Sequence, residues 1–128
     1  MAKHKNEREA VQMSDPKISI VIPVLNERES LPILHQELTD VLRDVGKSYE
    51  IIIVDDGSDD GSVELAKDLV AKDDAVILVE LRRRFGKATA LQAGFKVSRG
   101  EIVFTLDADL QDDPKEIPRF LEALDNDY

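Results

Sequence analysis

Hydrophobic and polar positions divide the chain into four short apolar runs, each followed by a longer amphipathic segment. The apolar runs are residues 18–22, 50–54, 75–81 and 101–106. They are rich in Ile, Val and Leu with little alternation, which is typical of strands buried on both faces of a parallel sheet. Pro23 closes the first run, Asp55 follows the second and Gly100 precedes the fourth, so turn-forming residues mark these boundaries.

The amphipathic segments have apolar residues at helical spacing, which predicts helices. They are residues 31–45, 63–70, 87–97 and 114–124. Gly46 is a stop signal for the first, Ser58 is the expected N-cap of the second, and Pro114 is tolerated in the first turn of the fourth. Strands joined by helical crossovers lie parallel with right-handed connections. The sequence therefore predicts an α/β fold, a Rossmann-like half-domain of four β-α units with helices on both faces of a parallel sheet.

The length of 128 residues fits one domain, or one subdomain of a larger protein. Residues 1–16 are polar and have no sustained period, so we expect a flexible tail followed by an ordered domain over residues 17–128. No apolar run approaches the ~18 residues needed to span a bilayer, and the first residues lack the apolar core of a secretory signal. We therefore expect this chain to be soluble and cytoplasmic.

The charge balance narrows the possible partners. The chain has 27 acidic and 17 basic residues, which gives a formal net charge of −10. Nucleic-acid binding by phosphate neutralisation is not expected, because it needs a basic surface. The absence of cysteine excludes disulfides, zinc–thiolate sites and thiol catalysis. An acidic protein that handles phosphate groups needs a local basic cluster or a metal ion.

Asp107 and Asp109, directly after the fourth apolar run, are the sharpest chemical signal in the sequence. At the end of a strand, residues two apart point to the same side, where two carboxylates repel unless a cation or proton lies between them. Mg²⁺ prefers oxygen ligands and uses only one or two protein carboxylates, and the amide oxygen of Gln111 offers a neutral ligand. The alternative is that these acids, with Asp112 and Asp113, only favour the N-terminus of the next helix.

Further polar residues follow the first two runs, at the edge of the sheet where ligands bind in this class of fold. Asp55 and Asp56 have carboxylates that accept hydrogen bonds from a nucleobase or a ribose hydroxyl. Asn26 and Glu27 suit the same role. The alternative for Asn26 and Ser58 is that they only satisfy backbone amides as helix caps.

A basic cluster follows the third run and consists of Arg82, Arg83, Arg84 and Lys87. Guanidinium groups bind phosphate in a bidentate manner, and the amino end of a helix attracts anions. The cluster is therefore a candidate phosphate-binding region. The alternative is a solubilising run on the surface.

Four motifs at these strand ends resemble those of family 2 glycosyltransferases of GT-A fold. They are residues 19–27 (SIVIPVLNE), 54–61 (VDDGSDDG), 83–87 (RRFGK) and 107–111 (DADLQ). The last two look most like the branch that contains dolichol-phosphate mannose synthase and bacterial polyprenyl-phosphate glycosyltransferases, although that branch often has Asn in place of Arg84. The resemblance covers about residues 17 to 124 and corresponds to the N-terminal part of such proteins.

The resemblance implies a role for each loop. The nucleotide pocket is expected to be lined by Pro23, Asn26, Glu27, Asp55, Asp56 and Asp107. Asp107 is expected to face the ribose and the metal, while Asp109 and Gln111 hold Mg²⁺ or Mn²⁺ against the donor's diphosphate. Arg83 and Lys87 are expected near that diphosphate. In this interpretation Asp107 and Asp109 are the catalytic residues.

The resemblance also implies the reaction, a metal-dependent, inverting transfer of a sugar from a GDP- or UDP-linked donor to a polyprenyl phosphate such as dolichyl or undecaprenyl phosphate. Such a reaction belongs to cell-envelope glycan synthesis. A phosphate acceptor is already ionised near neutral pH and needs little help from a general base. Complete members of the family continue beyond this length with an acceptor-binding half. We therefore expect contact with the cytoplasmic face of a membrane through segments outside this chain.

Other functions stay open from the sequence alone. A glycosyltransferase with a saccharide hydroxyl as acceptor has the same donor loops, and so does a non-catalytic nucleotide-binding fragment. A signalling receiver domain also places acids at strand ends and binds Mg²⁺. Its pattern needs an acidic pair after the first strand, where this chain has Asn26 and Glu27, and a phospho-accepting Asp after the third, where this chain is basic.

Overall fold

The structure, a computed structural model, describes residues 15–127. Residues 1–14, most of the expected tail, lie outside the described residues. Strands and helices alternate strictly along the chain. The strands are β1 (Ile18–Val24), β2 (Tyr49–Asp55), β3 (Val76–Glu80) and β4 (Ile102–Thr105), and the helices are α1 (Ser30–Val45), α2 (Ser62–Lys72), α3 (Lys87–Val97) and α4 (Glu116–Asp127). The predicted α/β fold of four β-α units is confirmed.

The four strands form one parallel sheet in the order β3-β2-β1-β4. β1 pairs with β2 over its whole length, with Ile18 opposite Tyr49 and Val24 opposite Asp55. β4 pairs only with the part of β1 from Ile18 to Val21. The strand order reverses at β1, since β2 lies on one side of it and β4 on the other. In open α/β sheets such a reversal opens a crevice beyond the carboxyl ends of the strands.

Helices cover both faces of the sheet, as predicted. On one face α1, α2 and α4 pack on the sheet in a core that includes Ile18, Ile20, Ile22, Leu34, Leu38, Ala66, Ile117 and Leu121. On the other face α3 packs on Val21, Ile52 and Val54. Gly94 allows this close packing, because a Cβ atom there would overlap Val21 Cγ1 and lie 3.2 Å from Val54 Cγ2. The position of α3 on the sheet is therefore tightly fixed.

A buried polar network joins the strands at the edge opposite the cleft described below. Glu50 in β2 is 2% exposed. It accepts a hydrogen bond from the Ser19 hydroxyl at 2.6 Å and from Arg99 Nη2 at 3.0 Å. The Gly100 amide completes the network by donating to Ser19 Oγ at 2.8 Å. A buried carboxylate is stable only when it is paired and hydrogen-bonded in this way.

The predicted N-cap of α2 is wrong. The helix begins at Ser62, and its N-cap residue Gly61 has a φ of 95° and makes no side-chain cap. The Ser58 hydroxyl instead accepts a hydrogen bond from the amide of Asn26 at 2.9 Å. The Ser58 hydroxyl therefore binds a backbone amide 32 residues away in sequence instead of capping α2.

The loop between β4 and α4 is longer than predicted. β4 ends at Thr105 and α4 begins at Glu116, so residues 106–115 connect them. Pro114 lies in the turn before the helix, and its carbonyl accepts a hydrogen bond from the amide of Ile117 at 3.0 Å. This longer loop contains the acidic residues that the sequence singled out.

Candidate active site

A cleft opens at the carboxyl edge of the sheet, where the segments that follow the strands meet. Its volume is about 270 Å³. Its lining residues are Pro23, Leu25, Glu27, Asp56, Lys87, Asp107, Ala108 and Asp109. The structure thus brings together candidate residues that lie far apart in the sequence, and Asp56 and Asp109 face the same space.

Asp56 joins the loop after β2 to the loop after β3. Its side chain is 4% exposed. Oδ1 accepts a hydrogen bond from the Phe85 amide at 2.8 Å, and Oδ2 accepts one from the Gly86 amide at 3.0 Å. Both amides come directly before α3. The carboxylate therefore fixes where that helix begins and where Lys87, its first residue, lies.

Asp55 lies outside the cleft lining. Its Oδ2 accepts hydrogen bonds from the amides of Gly57 and Ser58 at 3.1 and 3.0 Å. Its Oδ1 is buried and has no hydrogen-bond partner among the described residues. Within the part of the chain that the structure describes, the carboxylate shapes the turn that places Asp56 at the cleft.

Asn26 links the loops after β1 and β2. Its Oδ1 accepts a hydrogen bond from the Asp59 amide at 2.9 Å, while its own amide donates to Ser58 Oγ at 2.9 Å. The side chains of Asn26 and Ser58 therefore do satisfy backbone amides, but across two loops instead of at a helix N-terminus. Asn26 lines a neighbouring hollow of about 510 Å³ rather than the cleft.

Glu27 lines both the cleft and this hollow. Its Oε2 accepts a hydrogen bond from the Ser30 hydroxyl at 2.7 Å, and its amide donates to Ser62 Oγ at 3.1 Å. Ser62 Oγ in turn donates to Asp60 Oδ1 at 2.6 Å. That hydrogen bond is the main reason why the pKa of Asp60 lies below its usual 3.8. The amino-acid sequence alone does not indicate this support for Glu27, because the hydrogen bonds form between loops that meet only in the folded chain.

Asp107 and Asp109 lie in a turn beyond the end of β4, so strand alternation does not orient them. Hydrogen bonds within the loop hold the turn instead. The Asp107 amide donates to Asp112 Oδ2 at 2.8 Å, and the Gln111 amide donates to Asp109 Oδ1 at 3.1 Å. Both carboxylates line the cleft. The expected juxtaposition is present, although the expected reason for it is wrong.

Besides Asp55 and Asn26, two more candidate residues do not line the cleft. Gln111 has an exposed side chain, and the backbone before it turns sharply at Leu110, where φ is 68°. Arg83 is also exposed, and its guanidinium lies 4.8 Å from the centre of the Phe85 ring. Any contact of Gln111 or Arg83 with a ligand in the cleft therefore requires the side chain to reorient.

Lys87 and Asp107 form an ion pair across the cleft. Lys87 Nζ lies 2.5 Å from Asp107 Oδ1. The hydrogen bond to Asp107 raises the pKa of Lys87 above its usual 10.5, and the charges of Asp112 and Asp109 act in the same direction. Lys87 is therefore a fixed positive charge inside an otherwise acidic cleft at neutral pH.

Leu25 and Ala108 also line the cleft, although they are not among the site residues predicted from the sequence. Leu25 directly precedes Asn26, and Ala108 lies between two aspartates. Their position within the motifs was the only available signal. Such apolar walls exclude water around a few placed polar groups, which is common in ligand sites.

The donor set of the cleft fits a hard divalent cation. The lining side chains include the carboxylates of Glu27, Asp56, Asp107 and Asp109 and one ammonium, that of Lys87. In residues 15–127 no three or more His, Cys, Asp or Glu side chains form a metal cage. Mg²⁺ does not need one, because it takes one or two carboxylates and completes its shell with substrate phosphate and water.

Comparison with known proteins identifies the family. A family model described as glycosyl transferase family 2 matches residues 19–128. The chain belongs to glycosyl transferase family 2. Two similar curated relatives are each named undecaprenyl-phosphate 4-deoxy-4-formamido-L-arabinose transferase. The relative from Pseudomonas fluorescens is 51% identical over 82% of this chain and 31% of its own length. The relative from Pectobacterium atrosepticum is 46% identical over 87% of this chain and 34% of its own length.

This family 2 chain thus spans about a third of the length of the curated relatives it matches. Their names confirm the predicted resemblance to the polyprenyl-phosphate branch, and the family match confirms the predicted membership of a glycosyltransferase family. Among the described residues, no helix has both the length and the hydropathy needed to cross a membrane.

Solved structures confirm the GT-A fold of this family 2 chain. Staphylococcus aureus TarS, residues 1–349 in complex with UDP, has a TM-score of 0.66 at 20% identity, over 86% of this chain and 32% of that one. A Pyrobaculum calidifontis mannosyltransferase in complex with GDP-Man and Mn²⁺ has a TM-score of 0.58 at 24% identity, over 84% of this chain and 34% of that one. At these identities the likeness shows the shared fold alone.

Proposed function

We propose that this chain is the nucleotide-sugar-binding part of an inverting, metal-dependent glycosyltransferase that moves a sugar onto a polyprenyl phosphate. The observation that carries the proposal is the cleft, where Asp56, Lys87, Asp107 and Asp109 meet at the carboxyl edge of a family 2 chain. The relatives' names support undecaprenyl phosphate as the acceptor and 4-deoxy-4-formamido-L-arabinose as the sugar.

The donor's diphosphate is proposed to bind in the part of the cleft between the loop after β4 and the start of α3. Asp109 and Asp107 hold Mg²⁺ or Mn²⁺ there, and Gln111 adds a ligand after its exposed side chain reorients. When bound, the cation supplies Lewis-acid stabilisation of the charge that develops on the leaving diphosphate. Lys87 provides a second positive charge on the same side, and Arg83 approaches from the rim.

The nucleoside, either guanosine or uridine, is proposed to bind in the same cleft, against the loops after β1 and β2. Pro23 and Glu27 line the cleft, and Asp56 offers a carboxylate held by two backbone amides. Asp55 and Asn26 support the loops from behind. The buried Oδ1 of Asp55, which has no hydrogen-bond partner among the described residues, is an acceptor available to a donor group that reaches it.

The reaction forms a bond between an oxygen of the acceptor phosphate and the anomeric carbon, while the bond from that carbon to the diphosphate breaks. Attack from the face opposite the diphosphate inverts the anomeric configuration. The acceptor oxygen is already ionised near neutral pH, so no general base is required in the cleft. The whole protein is proposed to work at the cytoplasmic face of a membrane, where its acceptor is anchored.

Calorimetry with GDP and UDP, each with and without Mn²⁺, tests the proposed donor site. We expect Mn²⁺ to strengthen nucleotide binding to the wild-type chain, and Asp109→Ala to abolish that effect. Asp74→Ala is a matched control, because Asp74 is exposed and lies before β3, away from the cleft. Equal nucleotide affinity with and without Mn²⁺ would reject the metal site, and so would an Asp109→Ala variant that keeps the full effect.

Sugar transfer by the whole protein tests the acceptor. We expect transfer to undecaprenyl phosphate and none to a soluble saccharide when both are supplied with the same donor. Transfer to the saccharide alone would replace the proposed acceptor while leaving the donor site in place.

A further inference from the structure

The ion pair between Lys87 and Asp107 lies where the proposed metal and diphosphate meet. Lys87 is the first residue of α3, and Asp107 lies in the turn after β4, so the pair bridges two walls of the cleft. The Lys87 side chain is 60% exposed and that of Asp107 40%. An ion pair this open to water is weak, and it changes an equilibrium by less than a factor of ten.

The backbone on both sides of the pair is anchored. The Gly86 amide, next to Lys87, donates to Asp56 Oδ2 at 3.0 Å. The Asp107 amide donates to Asp112 Oδ2 at 2.8 Å. Breaking the ion pair therefore requires only a change of side-chain torsions. A long, exposed lysine side chain makes such a change at low cost.

The charges around the pair leave Lys87 two possible partners. Among residues 15–127, Lys87 is the only cation that lines the cleft, and the lining includes four carboxylates. Asp107 is also a proposed ligand of the divalent cation. A carboxylate oxygen that accepts a hydrogen bond from an ammonium is less available to a metal ion, so the two cations compete for Asp107.

We propose that Lys87 is an internal counter-ion of Asp107 that is displaced when a divalent cation binds, and that the released ammonium then binds the donor's diphosphate. This inference rests on the proposed function of the cleft. With the cation alone, Lys87 loses its partner and two positive charges are left close together. With the nucleotide present, the diphosphate gives Lys87 a new anionic partner. Lys87 therefore makes the binding of the metal ion and of the nucleotide interdependent.

Replacing Lys87 by Met tests this coupling without measuring activity. Mn²⁺ binding without nucleotide is followed by electron paramagnetic resonance, and GDP and UDP binding at saturating Mn²⁺ by calorimetry. We expect Lys87→Met to bind Mn²⁺ alone about twofold to fivefold more tightly, because an exposed ion pair no longer competes. We expect its nucleotide affinity at saturating Mn²⁺ to fall about tenfold, because a charge-assisted hydrogen bond is lost.

Two further variants separate charge from side-chain volume. Lys87→Arg keeps the charge, and we expect it to retain the wild-type coupling between Mn²⁺ and nucleotide. Lys96→Met removes another exposed lysine from the same helix, outside the cleft lining, and we expect no change. Circular dichroism checks the fold of each variant, and Lys87→Gln replaces Lys87→Met if the latter unfolds.

The outcomes distinguish this inference from the proposed function. If the wild-type chain binds neither nucleotide with Mn²⁺, the proposed function fails. If the wild-type chain binds them cooperatively and Lys87→Met shows the same Mn²⁺ affinity and the same cooperativity, the counter-ion role is overturned and the proposed function stands. Weaker Mn²⁺ binding by Lys87→Met without nucleotide would also overturn the role, because competition predicts the opposite sign.

Discussion

Replacing Asp56 by Asn should loosen the loop that precedes α3. The Asp56 carboxylate accepts hydrogen bonds from the amides of Phe85 and Gly86 at 2.8 and 3.0 Å, and it is 4% exposed. An asparagine keeps one acceptor oxygen, but its NH₂ group then faces a backbone N–H and the negative charge is gone. Hydrogen bonds to a charged group contribute roughly 1.5–3 kcal/mol each, so we expect a loss of about 2 kcal/mol in the free energy of unfolding.

For a domain of this size, that loss corresponds to a fall of roughly 8 °C in the melting temperature. Thermal and urea unfolding followed by circular dichroism measure it. Asp59→Asn is the matched control, because Asp59 lies in the same loop and its side chain is exposed. Its structural contact is the backbone amide that donates to Asn26, which the substitution retains. We expect the control to stay within about 0.5 kcal/mol of wild type.

Asp56→Asn should also weaken the proposed nucleotide binding. The Asp56 carboxylate holds the two amides directly before α3 and so positions Lys87, the first residue of that helix. Equal stability of the Asp56→Asn and Asp59→Asn variants would refute the reasoning, since it would mean that the hydrogen bonds from the Phe85 and Gly86 amides contribute nothing. A destabilised variant with unchanged nucleotide affinity would show that the bonds hold the fold but do not organise the cleft.

Two other predictions concern stability. Gly94→Ala should lower the free energy of unfolding by about 1–3 kcal/mol despite the better helix propensity of alanine, because the new methyl group overlaps Val21 and presses on Val54; an unchanged urea midpoint would contradict the packing of α3. Asp60→Asn should destabilise the chain at pH 7, and by less at pH 3. The hydrogen bond from Ser62 lowers the folded pKa of Asp60 below 3.8, so its contribution is present above about pH 4 and is lost as the pH falls. Urea midpoints of variant and wild type at both pH values measure this, and an equal difference at the two pH values would reject it.

The sheet could be predicted from the sequence because its strands are buried on both faces. A run such as residues 50–54 has almost continuous β-branched residues, which is typical of a strand buried on both faces of a parallel sheet. Glu50 shows the limit of that argument. Its place in the run gave no sign that it would be buried beside Ser19 and Arg99, because the partners lie 31 and 49 residues away.

The sequence predicted which residues belong to the site better than it predicted how those residues are arranged. The carboxyl edge of a parallel sheet gathers the loops, so Asp56 and Asp109 could be placed near each other by topology alone. Hydrogen bonds between loops decide the finer arrangement, and no local pattern encodes them. The Asn26 side chain accepts a hydrogen bond from the Asp59 amide and does not line the cleft. The Ser58 hydroxyl accepts a hydrogen bond from the Asn26 amide and does not cap α2.

The backbone at Leu110 sets a condition on engineering this protein. A leucine with a φ of 68° is in the left-handed region, which costs an L-residue with a side chain about 1 kcal/mol. Glycine adopts this conformation without that strain. It would also let the neighbouring Asp109 sample more orientations, so relief of the strain at position 110 is expected to weaken binding of the proposed cation.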